Sequence, residues 1–185
     1  NDINLVDYTG TQFNIIGDFV GYGSPDNKPF AGVFDGNGHK ISNFSYASTD
    51  ADYTGLFGYV YFSRAKITDL GLVDPNIDAG TGWVVGLLVG WLRNGTITNC
   101  YVDNGNVFGS GEIGGLVGRS NGIIKDSYTT GKVSGDYRVG GLAGESDGPI
   151  LNCYSITSVE AVTFRIGGLV GDNYDTISNC YSSGT

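Results

Sequence analysis

Short apolar runs, split by clusters of Gly, Asn, Asp and Pro, fill this chain, and nowhere do apolar residues recur at the spacing of a helix face. Up to residue 50 the runs are irregular: Ile3 to Val6, Phe13 to Ile16, Phe30 to Phe34 and Ile41 to Tyr46. Beyond it one pattern returns. Tyr53-Thr54-Gly55-Leu56-Phe57-Gly58 is followed by Val85 to Gly90, Ile113 to Gly118, Val139 to Gly144 and Ile166 to Gly171, each an apolar strand interrupted by glycines and a leucine. After each comes a turn, such as Asn94-Gly95, Asn121-Gly122 or Asp147-Gly148, then an Ile-x-Asn-Cys-Tyr strand, then a short strand marked by Val107, Val133 or Val159. Three strands of about five residues plus their corners consume a unit of about 27 residues, the arithmetic of one rung of a parallel β-solenoid. The repeats divide as 53–82, 83–110, 111–136, 137–163 and 164–185, preceded by irregular rungs over 1–52, in one continuous all-β domain. Helical repeats are excluded because each needs two amphipathic helices, and turn residues come too often here to hold one.

Stacked rungs turn a column of the repeat into a physical line along the tower. Ile97, Ile124, Ile150 and Ile177 then belong to the core. Asn99, Asp126, Asn152 and Asn179 separate Ile and Cys by three positions, so a corner at the Asn is needed for both to point inward; we expect an Asn ladder in left-handed conformation there. Cys100, Ser127, Cys153 and Cys180 form a small inward column, read as buried thiols rather than a Cys153–Cys180 bridge, because stacked parallel side chains disfavour the disulfide torsion. Tyr101, Tyr128, Tyr154 and Tyr181 form an outward stripe that would suit either sugar stacking or packing across rungs. Trp91, with Tyr59, Arg119, Glu145 and Asp172 in its column, is expected to be exposed and, with Trp83, to offer an anchor. One ambiguity stands: on a regular strand Leu116 faces away from Ile113, Gly115 and Val117, so either a bulge turns it inward or a leucine ladder is exposed.

Composition narrows the function. Ten Lys and Arg against 19 Asp and Glu give a net charge of −9, which argues against nucleic acid and anionic membrane as partners. With 32 glycines but no three-residue period, glycine serves corners rather than collagen or disorder. Three cysteines match no zinc spacing, and the one histidine, His39, cannot build a multi-histidine metal site. Asp35-Gly36-Asn37-Gly38-His39 departs from a calcium loop at its fifth position and reads as a turn. No lysine or helix follows the repeated glycines, so they are not a phosphate cradle. Glu145, Asp147, Asp172 and Asp175 could pair as glycosidase carboxylates but read as solvated turn acids. Neither metal nor cofactor is expected. The sequons at Asn43 and Asn94 carry little weight, and the first residue, Asn1, suggests a mature or excised part of a longer polypeptide.

The unit Gly-Gly-Leu-Val-Gly, turn, Ile-Ser-Asn-Cys-Tyr-Ser from Gly167 to Ser182 resembles the GLUG-motif repeats of bacterial surface and secreted proteins, and the resemblance covers residues 53 to 185. Phe30 to Ile41 and Asn1 to Leu5 look like the region that leads into such repeats, while Leu87, Ser127 and Ile156-Thr157 depart from the pattern. The resemblance implies a right-handed parallel β-helix in a non-catalytic, extracellular role, adhesin-like or beside the catalytic part of an IgA1-protease-like or polysaccharide-active enzyme. Expected partners are a glycan or a host or cell-surface protein, with end-to-end self-association through an unfinished rung at Gly184-Thr185. The competing expectations are a polysaccharide-active β-helix enzyme and a self-assembling filament subunit.

Overall fold

The structure, a computed structural model, describes residues 1–184; Thr185 of the expected unfinished rung lies outside them. It is a parallel β-solenoid with about 27 residues per turn and no helix among the described residues. Every strand pairing is parallel. The longest sheet runs through Ile3–Asn4, Lys40–Ser42, Gly71–Val73, Tyr101–Phe108, Tyr128–Gly135, Tyr154–Ala161 and Tyr181–Ser182. A second carries the isoleucine column from Val33–Asp35 to Ile177–Ser178.

Strand boundaries refine the three-part unit. The Ile-x-Asn-Cys-Tyr segment is cut at the Asn: Thr96–Thr98 lies in one sheet, while Tyr101 begins an eight-residue strand that also takes in Val107. Asn99, Asp126, Asn152 and Asn179 have φ of 52°, 52°, 54° and 54°, the left-handed corner that Asx residues tolerate best. Their side chains form the expected ladder, with Asn152 Nδ2 donating to Asp126 Oδ1 at 2.8 Å and Asn179 Nδ2 to Asn152 Oδ1 at 3.2 Å. The corner buries Ile97 and Cys100 together. All three cysteines are free. Ser127 replaces Cys without loss, because its hydroxyl accepts the Cys100 amide at 3.1 Å as the Cys180 sulfur accepts that of Cys153 at 3.2 Å. Burial pushes the Cys100 and Cys153 thiols up to about 12.

The glycine strand is also bent in two. Trp83–Gly86 and Val89–Leu92, and their equivalents in the other rungs, form separate sheets of four and five strands. The bend settles the leucine question: Leu56, Leu88, Leu116 and Leu142 are buried, so no leucine ladder is exposed. It also accounts for the repeated glycines. A Cβ on Gly118 would stand 2.5 Å from the Val85 amide nitrogen, and one on Gly90 would stand 2.7 Å from the Tyr53 carbonyl carbon. The two halves of the bend therefore meet backbone to backbone, an approach open only to residues without a side chain.

Before the regular rungs, residues 17–30 fold back against the tower. They are tied to it by bridges from Ile16 to Phe57 and Phe30 to Val60, with an antiparallel bridge from Asp18 to Lys28 within the segment.

Candidate functional site

Two columns of outward side chains flank the glycine bend. In one, Tyr59, Trp91, Arg119, Glu145 and Asp172 pair in register on successive strands of the five-stranded sheet. In the other, Tyr53, Val84, Glu112, Arg138 and Arg165 precede the glycine bend, and each has a positive φ between 51° and 66°. A left-handed residue on a strand redirects its side chain. No glycine fills this position, so each rung accepts roughly 1 kcal/mol of backbone strain to present a side chain here.

The lower part of the first column is aromatic. Trp91 was expected at the surface, but it is only 2% exposed. The 17–30 segment covers it: the Phe19 ring sits edge-on to Tyr53, Tyr59 and Trp91, with centroids 4.6, 5.0 and 5.0 Å away. The Trp91 indole nitrogen donates to Asn121 Oδ1 at 2.8 Å, and Arg93 lies over its ring at 5.0 Å. Trp91 is therefore a packing residue. Nothing in the repeat itself could reveal that a segment outside it would close over this face.

Higher up, the columns become an ion network. Glu145, expected as a solvated turn acid, is 2% exposed and lies between two guanidiniums. Arg119 reaches it at 2.8 Å and Asp147 at 3.2 Å. Arg138 contacts Glu145, bonds Glu112 at 2.8 Å and lies 3.4 Å from Asp172, which also pairs with Arg165 at 2.5 Å. Burial, and after it the neighbouring Glu112, pushes the Glu145 carboxyl above its ordinary value despite both arginines. Burial works against charge on Arg119 too, but Glu145, Glu112 and Asp147 outweigh it and hold the guanidinium above the usual arginine value. Asp175 stays apart from this network, its side chain accepting from the Thr176 amide.

An open groove of about 270 Å³ lies where the aromatic and charged regions meet. Its aromatic walls are Tyr22, Tyr53, Trp83 and Trp91, and its polar side is Asp52, Glu112 and Arg119. Trp83 is 46% exposed and lies over Gly111 of the next rung, where a Cβ would come within 2.7 Å of the indole. Its backbone amide donates to Asp52 Oδ1 at 2.7 Å. Glu112 contributes a side chain only 6% exposed whose Oε2 accepts no hydrogen bond, and Arg119 Nε likewise donates none. Of the groove, the sequence singled out only Trp91 and Trp83. Glu112 and Arg138 were legible only as opposite charges in adjacent rungs at a shared position before the glycines.

The tyrosine stripe is continuous but closed. Tyr101, Tyr128, Tyr154 and Tyr181 stack with centroids 5.2, 4.8 and 5.1 Å apart and planes within 6° of parallel. Both faces of Tyr128 and Tyr154 are covered by neighbouring rings, and Tyr101 covers Gly71 below. The Asp35 turn is a plain one, with Asp35 Oδ1 accepting the Asn37 amide at 2.8 Å. His39 sits away from the groove and pairs with Asp2 at 3.2 Å.

A sequence profile described as "The GLUG motif" matches residues 81–107 and 163–185. Halomucin from Haloquadratum walsbyi is 35% identical over 106 residues, 55% of this chain but 1% of that protein. The crystal structure of a candidate immunoglobulin A1 protease from Bacteroides ovatus superposes on the whole chain with a TM-score of 0.78 at 27% identity. The chain spans 58% of that structure's length and a far smaller share of halomucin.

Proposed function

We propose that this chain, a GLUG-repeat β-helix, is a non-catalytic binding and structural module of a larger secreted or cell-surface protein, and that it contacts glycan through the groove beside Trp83. The observation that carries this reading is an exposed indole held flat beside Glu112 and Arg119. Apolar ring faces against flat aromatics, with hydroxyls reaching ionised side chains, are the ordinary terms of sugar recognition. The extracellular assignment draws on the likeness to a mucin-named and a protease-named protein.

The groove replaces the tyrosine stripe as contact surface, because the stripe's inner ring faces are already used on one another. An enzymatic reading finds less support here. Glu145 is enclosed and neutralised by two arginines, so its carboxyl has no path to a substrate oxygen. A glycan array probed with the chain and with Trp83→Ala tests the proposal: binding that disappears in the variant supports it, and an array with no bound glycan overturns it.

A further inference from the structure

Acids outnumber bases around the groove. Asp52, Glu112 and Glu145 stand there against Arg119 and Arg138, and Asp147 and Asp172 add two carboxylates against Arg165 and against Arg93, which packs over the Trp91 and Tyr22 rings. Arg119 and Arg138 each face three carboxylates, although the Nε of each donates no hydrogen bond, and Arg165 pairs with Asp172 alone. Two buried carboxylate oxygens make no hydrogen bond, Glu145 Oε2 and Glu112 Oε2; the first lies against the Arg138 guanidinium, whereas the second, on a groove-lining residue whose side chain is more than nine-tenths buried, has no such partner. A carboxylate oxygen withdrawn from water without a donor is costly, and the cost is relieved by a ligand that brings a charged donor.

From this juxtaposition of a flat exposed indole and an unmatched carboxylate we infer that the groove selects a sugar bearing a free ammonium, an unacetylated amino sugar, over neutral, acetylated or acidic sugars. This deepens the glycan reading above and rests on it. The pyranose ring lies on Trp83, and the ammonium donates toward Glu112 Oε2 with Asp52 on the same side. A uronic acid would bring its carboxylate against Glu112 and Asp52 and be repelled. The chain's net charge of −9 steers cationic ligands in the same direction.

The test is calorimetric titration of the chain with a β-1,4-linked glucosamine tetramer, its fully N-acetylated form, an unsubstituted glucose tetramer, a glucuronate tetramer and a linear polyamine of matching charge. The expected result is that the glucosamine tetramer binds at least about ten-fold more tightly than the neutral and acetylated ones, a difference of one decade in Kd. That margin should vanish in Glu112→Gln, which keeps shape and the Arg138 contact, and above the pH at which the amine deprotonates. Trp83→Ala should abolish sugar binding altogether while circular dichroism shows the fold retained. Equal affinity for neutral or acetylated tetramers overturns the ammonium preference and leaves glycan binding standing. Preference for the glucuronate tetramer also overturns it. Polyamine binding as tight as glucosamine binding and unaffected by Trp83→Ala reduces the effect to general acidity and overturns it. Binding by none of the sugars removes both readings.

Discussion

The tyrosine column and the column beside the glycine bend share one architecture: parallel strands in register, one residue contributed per rung. In the first, four successive rungs contribute tyrosine above Gly71, over which the Tyr101 ring lies, and each ring satisfies its neighbour's face. In the second, Tyr59, Trp91, Arg119, Glu145 and Asp172 share no residue type at all, although their backbones pair as regularly. A uniform column closes on itself and becomes scaffold. A varied one leaves groups that its neighbours cannot fully match, and those groups face a groove. In a solenoid, variation over a constant backbone is therefore a better guide to a site than repetition of an attractive residue.

The harshest way to break the contrast is to remove what both columns depend on. Gly118→Val puts a side chain into the Val85 backbone, which cannot yield as a flexible side chain would. A loss of more than about 3 kcal/mol, or no folded protein, is expected from urea unfolding followed by circular dichroism. Glu145→Ala should come next. It leaves Arg119 and Arg138 half-buried with fewer counter-charges, at a cost of about 3 kcal/mol in the same measurement.

Glu145→Gln sharpens this through pH. Because the Glu145 carboxyl is raised in the folded chain, the folded state holds that proton more tightly. The stability it contributes is present below the ordinary carboxylate value and is lost as pH rises through the raised one. Thermal melts between pH 4 and 7, bracketing the ordinary glutamate value of about 4.3, should lose this downward component in the variant. If wild type and variant have parallel pH profiles, burial is not what governs Glu145.

In the uniform column Tyr128→Ala should cost only about 1–2 kcal/mol, the worth of two stacked contacts, with glycan binding untouched. Tyr128→Phe should be close to neutral. Loss of binding in Tyr128→Ala would reverse the roles assigned to the two columns. The smallest effect is chemical: at pH 8 an aromatic disulfide reagent should react with Cys180, which is half-buried, well before Cys100 and Cys153, whose thiols are buried.

Most of the scaffold was legible because each ladder needs one residue type for a local physical reason. Asn supplies the left-handed corner, Ile fills the core at Ile97, Ile124 and Ile150 but not at Ile177, which is 41% exposed, and glycine permits backbone contact at the bend. The leucine ambiguity marks where that logic stopped, since alternation along a straight strand cannot foresee a bend that buries Leu116. The groove was less legible for a related reason. Glu112 and Arg138 adopt positive φ without being Gly or Asn, so nothing in their identity announced which way they would point. The 17–30 segment, outside the repeat, decided the fate of Trp91. The expectation of exposure failed because it considered only what the repeat supplies.

Because every position in a column takes its neighbours from the units above and below, the groove belongs to a junction rather than to any one unit. Deleting a single repeat period, such as 83–110, would set the Tyr59 position directly against Arg119 while each backbone ladder simply re-forms one step of about 4.8 Å along. An insertion of one residue within a strand would instead turn its inward side chains outward. Unequal recombination between repeats can thus reshuffle the surface chemistry of such a protein in whole steps while the core stays as it was, and a binding groove arises or disappears according to which two units become neighbours.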